Sequence, residues 1–526
     1  VKRGELDESL IDRTVERILR AVERSRAIKP CEVDFDAHHG LAREIATEGA
    51  VLMKNDDSIL PLDEKDTVLI GYMAENIRYQ GSGSSHINPT KITNLTDAMP
   101  RALYFSCADA HGNVSHEEIE KAAKMAKERK FAVVVVGLPD SYESEGFDRD
   151  HMRLPDGYVS LVEAVAKVNS NTVVVLLGGS VMELPFADKV KAILYMGLPG
   201  QAGGEAIADL LTGRANPSGK LTESWPISYD DVISKETFGV RDPEYRESIY
   251  VGYRYYDKAK KEVRYPFGHG LSYTKFAYKS LTVNGRVISL EVENTGNLAG
   301  KEVVQLYIAP KTEGIFRPVR ELRGFEKVSI LPGETKQVSF TLDDRSFALW
   351  NDGWKIPGGE YQIEIGSSSR DIRLSQTVNV DGENLSEAEW QKGSWYEDPV
   401  GAPTREEWER LMGRTIPPSV EPKRGSFTMD NTCMEMKDGS LMMKIQYKVT
   451  EGIIAKSFGG KRDMSDPAFK MMMVCATDCP MRSVIISSGG AMNDFLAEFM
   501  LLMANGLFTS GLKGLLTGKK NSILPK

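Results

Sequence analysis

Cysteine is scarce in this chain. The five present, Cys31, Cys107, Cys433, Cys475 and Cys479, are scattered and odd in number, which excludes a disulfide framework. Cys475 and Cys479 stand one helical turn apart, but no further Cys or His pair accompanies them at zinc-ligand spacing. Small apolar packing is the role expected of both. A dominant sign of charge is lacking too: 66 basic against 75 acidic residues leave a net charge of −9, without long like-sign runs. That balance argues against a nucleic acid or an anionic membrane surface as the main partner. No stretch is a clean membrane span. The nearest, the Met-rich run 492–516, is interrupted by Glu498, Asn505 and Lys513, which a lipid-embedded helix rarely tolerates. It reads instead as a helix buried between domains or subunits, and it fits a homodimer interface. The chain opens on Val1 rather than Met and with no signal peptide, so its opening carries no targeting information. Cysteine usage alone points to the cytoplasm.

What is present falls into pieces, and 526 residues exceed what one hydrophobic core usually supports. Apolar Leu10, Ile11, Val15, Ile18, Leu19 and Val22 recur at helical spacing, so the spacing predicts a helix over 6–26 with one apolar face. Strand-like runs follow at 67–72, 131–138, 171–178 and 191–197, with helical patterns between them at 116–130, 156–169 and 203–212. Ser115 and Glu118 form a capping box for the first of these helices. Such alternation predicts a mainly parallel sheet covered on both faces.

Beyond about residue 270 the pattern changes to short strands with turn signals, among them Asn284-Gly285, Asn294-Thr-Gly296 and Pro332-Gly333. Residues 274–378 therefore read as an immunoglobulin-like or fibronectin-like sandwich. The polar stretch 379–398 reads as a linker, and 399–526 as a mixed helical region in which Thr404 and Glu407 make a second capping box. The fold class expected is α/β plus β: a mainly parallel α/β domain, a β-sandwich, and a helical carboxyl-terminal region.

Chemistry concentrates after the run 131–138, where Tyr142-Glu143-Ser144-Glu145-Gly146-Phe147-Asp148-Arg149 follows a strand with no polar alternation. Ligands of open α/β sheets gather beyond the carboxyl ends of the strands. Glu143 and Glu145 stand two apart in an extended loop, so at most one of them faces a shared pocket. Gly146 permits a turn that holds Glu145 outward. An acidic surface loop that only faces water is the competing reading. The loop Gly81-Ser-Gly83-Ser-Ser-His86 lacks the Lys-Ser/Thr pair of a phosphate-binding loop.

Longer runs carry a resemblance. Lys191-Ala-Ile-Leu-Tyr-Met-Gly-Leu-Pro-Gly-Gln-Ala-Gly-Gly-Glu205, Asn216-Pro-Ser-Gly-Lys-Leu221, Tyr265-Pro-Phe-Gly-His-Gly-Leu-Ser-Tyr-Thr274, Glu48-Gly-Ala-Val-Leu-Met-Lys-Asn55 and Arg317-Pro-Val-Arg-Glu-Leu-Arg-Gly-Phe325 resemble, in the same order, the carboxyl-terminal α/β domain and fibronectin type III-like domain of glycoside hydrolase family 3. The likeness extends over about residues 1–380. It implies hydrolysis of β-linked glycosides from the non-reducing end with retention of configuration, a reaction that needs two carboxyl groups about 5 Å apart. Glu145 matches the family's general acid/base, whose job requires a pKa raised toward neutrality; Tyr142 and Phe147 are candidates for the apolar wall that would raise it. Ser85 and His86, on a loop that in the family borders the sugar pocket, are candidate substrate-binding residues, with a merely rim-shaping turn as the alternative. Asp148 and Arg149 are expected to pair with each other or with the loop backbone.

The family's nucleophile is an Asp in a Ser-Asp-Trp type motif on a preceding (β/α)8 barrel, and Ser465-Asp466 is followed here by Pro467. Residues 1–30 resemble the last helix of that barrel. The resemblance thus implies a chain that supplies the acid/base, lacks the nucleophile, and is nearly inactive without the barrel domain as partner. The division expected is 1–30 from the barrel, 31–230 as the α/β domain, 231–273 as a connecting segment, 274–378 as the sandwich, 379–398 as a linker and 399–526 as the terminal region. The substrate implied is a β-glucoside or cello-oligosaccharide. β-Xylosides and α-L-arabinosides are alternatives, N-acetylglucosaminides a more distant one, and a non-catalytic carbohydrate-binding or assembly module is the alternative of another class. Paired carboxylates suffice for this reaction, so neither metal nor organic cofactor is expected.

Overall fold

Aspartate 7 caps the first helix, its carboxylate accepting a hydrogen bond from Ser9 N at 2.9 Å, and the apolar spacing that follows winds into α1 (Glu8–Ala27). The computed structural model describes residues 1–509 apart from 30, 313, 386, 387, 489 and 491. Residues 1–41 make one unit and the described residues from 42 onward another. All six apolar positions of α1 named above are exposed. A second helix, α2 (Phe35–Gly49), follows.

Ten elements then build the α/β domain: β1 (Val51–Asn55), β2 (Thr67–Ile70), α3 (Leu95–Ala98), β3 (Leu103–Phe105), α4 (His116–Lys127), β4 (Phe131–Gly137), α5 (Asp156–Val168), β5 (Thr172–Leu177), β6 (Ala192–Tyr195) and α6 (Gly203–Thr212). The strands lie in the order β1-β6-β5-β4-β2-β3. Every pair is parallel except β1 with β6. In β4 and β5 residues of both parities are buried, so both faces of the sheet are covered. The Ser115–Glu118 capping box forms, Glu118 Oε2 accepting from Ser115 N at 2.8 Å. Strand β1 and helix α2 escape the sequence pattern. β1 is short and reverses direction at the sheet edge, where no β-α alternation announces it.

β7 (Trp225–Pro226) precedes the connecting segment, which holds α7 (Tyr253–Lys258) and β8 (Val263–Tyr265), and β8 pairs back onto β7. The sandwich follows, with β9 (Phe276–Asn284), β10 (Val287–Asn294), β11 (Gly300–Pro310), β12 (Glu321–Ile330), β13 (Thr335–Thr341), β14 (Leu349–Trp350), β15 (Trp354–Lys355), β16 (Gly359–Gly366) and β17 (Ile372–Val380). Sheets β13-β10-β9 and β12-β11-β16-β17 enclose Ile288, Leu290, Val292, Leu306, Ile308 and Ile363. The Asn284-Gly285 signal closes the β9–β10 hairpin, with Gly285 at φ +58°. The sandwich is tied to the α/β domain through Glu48, whose carboxylate meets Lys301 Nζ and, at 2.6 Å, Lys327 Nζ.

The stretch expected to be a linker does not behave as one. Trp395 and Tyr396 are buried with Tyr250, Tyr255 and Tyr256, and Tyr250 Oη donates to Tyr396 O at 3.0 Å. Its aromatic residues, diluted among polar neighbours, outweigh the polar composition that suggested solvent.

Six helices complete the described chain: α8 (Arg405–Met412), α9 (Cys433–Met436), α10 (Leu441–Ser457), α11 (Pro467–Thr477), α12 (Met481–Ser487) and α13 (Asp494–Ala504). The Thr404–Glu407 capping box starts α8. In the Met-rich run, Ala497, Met500, Leu501 and Ala504 pack with Phe427, Met436, Met443 and Met481. These residues of α13 therefore do not form the exposed patch behind the expected dimer; 510–516 lie outside the described residues. Among the described residues no helix is long and apolar enough to cross a membrane.

Candidate functional site

Strands β2, β4 and β5 are adjacent and parallel, so the segments leaving their carboxyl ends converge on one rim of the sheet. The segment after β2 carries Arg78 and the glycine-rich loop, that after β4 carries the acidic loop, and that after β5 carries Gly179 and Ser180.

Glu143 and Glu145 part as their spacing requires. Glu143 turns inward: its Oε2 accepts from Arg78 Nη1 at 2.7 Å and Gly179 N at 2.9 Å, and its Oε1 from Ser180 Oγ at 2.7 Å. Arg78 has a side chain only 6% exposed and also reaches Glu143 O at 3.0 Å, Asp140 Oδ1 at 3.2 Å and Leu138 O. A buried guanidinium without such partners would be costly, so Glu143 is the structural member of the pair. It knots the acidic loop to the neighbouring strand ends.

Glu145 turns outward and is exposed. Ser144 and Phe147 face each other in an isolated antiparallel bridge, which leaves Glu145-Gly146 at the tip of a turn. Gly146 sits at φ +88°, a conformation that side chains resist. From the other side, Glu145 N donates to Ser82 O at 3.1 Å. Gly83, at φ +122°, lies so close that a Cβ there would be 2.5 Å from Glu145 Cβ and would also strike Oε2. The glycine-rich loop and the acidic turn are thus one packed unit. Gln80 closes the base of the loop, accepting from Ile87 N at 2.9 Å and donating to Ile87 O at 3.3 Å. Ser85 and His86 are exposed on that loop. The structure therefore brings the three residues singled out in the sequence to one rim.

Other expectations change. Arg149 pairs with neither Asp148 nor its own loop: its Nη1 donates to Ser180 Oγ at 2.8 Å and Val181 O at 3.0 Å, and burial pushes its guanidinium pKa down. Asp148 is exposed near Gly239. Of the two rings expected to wall the carboxyl, Tyr142 packs edge-on to His151, centroids 5.6 Å apart. Phe147 lies beneath Lys470 Nζ, 3.9 Å from its ring centre. Cys475 is exposed and Cys479 half-buried, so neither is a small core residue. A hollow of about 470 Å³ runs beside the turn, lined by Gly146, Phe147, Asp148, Tyr229, Phe238 and Val474. A larger one, about 730 Å³, has Arg149, Glu223 and Tyr253 in its wall but not Glu145. Among the described residues no group of three or more His, Cys, Asp or Glu is placed to hold a metal ion. Sequence reasoning passed over Arg78 and the contact of Gly83; neither carries a local signal, because each acts on a residue distant in sequence.

Residues 50–273 match the model of the glycosyl hydrolase family 3 C-terminal domain, and residues 302–369 that of the fibronectin type III-like domain. The chain is similar to the thermostable β-glucosidase B of Acetivibrio thermocellus, 46% identical over 72% of this chain and 54% of that protein. It is also similar to an exo-α-(1→6)-L-arabinopyranosidase of Bifidobacterium breve, 38% identical over 76% of this chain and 57% of that protein. It spans little more than half the length of these curated relatives. The crystal structure of the family 3 β-glucosidase of Bifidobacterium adolescentis superposes with a TM-score of 0.68 at 38% identity, over 76% of this chain and 62% of that one. The order of strands, the sandwich behind them and these matches agree: the chain belongs to glycoside hydrolase family 3, of which it carries the carboxyl-terminal α/β domain and the fibronectin type III-like domain.

Proposed function

We propose that this chain works in a retaining β-glucosidase that releases terminal glucose from β-glucosides or cello-oligosaccharides, with Glu145 as general acid/base. The observation that carries the reading is the outward carboxylate at the tip of a glycine turn, beyond the carboxyl end of β4 and packed on the glycine-rich loop. Protonated Glu145 gives its proton to the glycosidic oxygen as the bond from that oxygen to the anomeric carbon breaks and a nucleophilic carboxylate bonds to the same carbon. The Glu145 carboxylate then takes a proton from the water that displaces the nucleophile. Glu143 is not free to be that nucleophile, since both its oxygens are held by Arg78, Gly179 and Ser180. In this reading the nucleophile comes from a barrel domain outside these 526 residues, and Ser85 and His86 contact the sugar. Glucose is favoured by the β-glucosidases among the relatives; the arabinopyranosidase supports α-L-arabinosides as the second reading.

The test is hydrolysis of p-nitrophenyl β-glucoside, β-xyloside and α-L-arabinoside by the chain alone and by the chain joined to a family 3 barrel domain. Activity confined to the joined protein and highest on glucose supports the reading. Robust turnover by the chain alone places the nucleophile within it and overturns that part.

A further inference from the structure

The helices from α8 onward lie beyond both matched domains, which end at residue 369, yet one of them reaches the candidate site. Helix α11 starts firmly: Asp466 caps it by accepting from Ala468 N at 2.9 Å and Phe469 N at 3.0 Å, and Pro467 occupies its first turn. Phe469 and Met473, one turn apart and each 1% exposed, anchor it to Ile454 and Ala455 of α10. Its opposite stripe, at spacings of three and four, runs through Pro467, Lys470, Met471, Val474, Cys475 and Asp478.

That stripe follows the acidic loop along its length. Pro467 shares a hollow with Arg78, Asp140 and Ser141. Lys470 Nζ lies 3.9 Å from the ring centre of Phe147. A Cβ on Gly146 would meet Cys475 Sγ at 3.3 Å and Met471 O at 3.4 Å, so the helix stands about one methyl group behind the turn and limits how far it can retreat. Val474 and Asp478 line the hollow beside Phe147 and Asp148. The Cys475 thiol pKa is pushed up by partial burial and further by the negative charge of Glu145, in keeping with their closeness.

We propose that α11 is a brace for the acid/base turn, and that Lys470 and Cys475 are positioning residues that fix where Glu145 meets the glycosidic oxygen. The proposal rests on the reading of Glu145 as the general acid/base. An exposed turn held only by its own bridge and by Ser82 would wander, and a misplacement of about 1 Å at a catalytic group can cost about a hundredfold. The helix behind Gly146 and the cation over Phe147 close the two directions that the glycine-rich loop leaves open.

Two measurements test the brace on Lys470→Ala, on Lys470→Arg, and on the chain alkylated at Cys475 with N-ethylmaleimide in a background where Cys31 and Cys479 are Ser. The first is amide hydrogen exchange at 145–147 in the intact chain. Lys470→Ala is expected to speed it about threefold and alkylation at least about tenfold, with Lys470→Arg near the parent. The second is kcat/KM in the chain joined to a family 3 barrel domain. Alkyl β-glucosides, which need a proton on the leaving oxygen, should lose about tenfold in Lys470→Ala. A 2,4-dinitrophenyl β-glucoside, whose aglycone leaves unaided, should stay within about twofold. Unchanged exchange, or equal losses on both substrates, overturns the brace. If Glu145→Gln itself shows no leaving-group dependence, the acid/base assignment fails, and the exchange result alone decides whether α11 holds the turn.

Discussion

Replacing Gly83 by Ala is the sharpest perturbation of the site that leaves the Glu145 side chain itself unchanged. The new Cβ would stand 2.5 Å from Glu145 Cβ, about 1 Å short of an ordinary carbon contact. The backbone at φ +122° adds strain of about 1–3 kcal/mol for a non-glycine residue. Either the glycine-rich loop or the acidic turn must give way, and the turn is closed from behind by Met471 and Cys475. A displacement of about 1 Å at Glu145 predicts a loss of up to about a hundredfold in kcat/KM on an alkyl β-glucoside. The assay is a double-mutant cycle with Glu145→Gln in the chain joined to a family 3 barrel domain. If Gly83 acts through Glu145, the double variant is no slower than Glu145→Gln alone. Multiplying losses, or a Gly83→Ala variant within about threefold of the parent, would refute the reasoning.

Further outcomes separate structural from chemical carboxylates. Glu143→Ala takes from the buried Arg78 its closest carboxylate, leaving it Asp140 and two main-chain carbonyls, and should cost about 3 kcal/mol of stability, whereas Glu145→Ala, at an exposed position, should leave the denaturant midpoint nearly unchanged. Burial raises the Glu48 carboxyl, but Lys301 and Lys327 outweigh it and hold it below its ordinary value of 4.5. Its stabilisation is thus present above pH 4.5 and fades as pH falls through the lowered value, so Glu48→Gln should cost about 1 kcal/mol at pH 7 and progressively less as pH falls through that lowered value, read by denaturant midpoints against pH. Trp395→Ala, which opens a cavity among Tyr250, Tyr255 and Tyr396, should cost about 3–5 kcal/mol by the same assay; an effect below about 1 kcal/mol would return 379–398 to the status of a linker.

The core of the α/β domain was legible because β4 and β5 are buried on both faces and so read as unbroken apolar runs. The same logic misses β1, an antiparallel edge strand, and misreads 379–398, where sparse aromatic residues decide burial against a polar average. At the site, the alternation of an extended loop foretold that Glu143 and Glu145 diverge, but not which one turns in. That choice belongs to Arg78, a residue with no motif around it. Nor does any local pattern announce that Gly83 and α11 close on the turn from opposite sides, since both contacts are made by chain distant in sequence.

The central claim is tested most directly by adding azide to the Glu145→Gln variant of the chain joined to a family 3 barrel domain, with 2,4-dinitrophenyl β-glucoside as substrate. This aglycone leaves without a proton, so the glycosyl-enzyme forms, and only its release lacks a base. The account predicts that azide, which needs no deprotonation, restores kcat and yields β-glucosyl azide. A variant that turns over as fast as the parent without azide, or one that azide leaves unchanged, would contradict Glu145 as the acid/base.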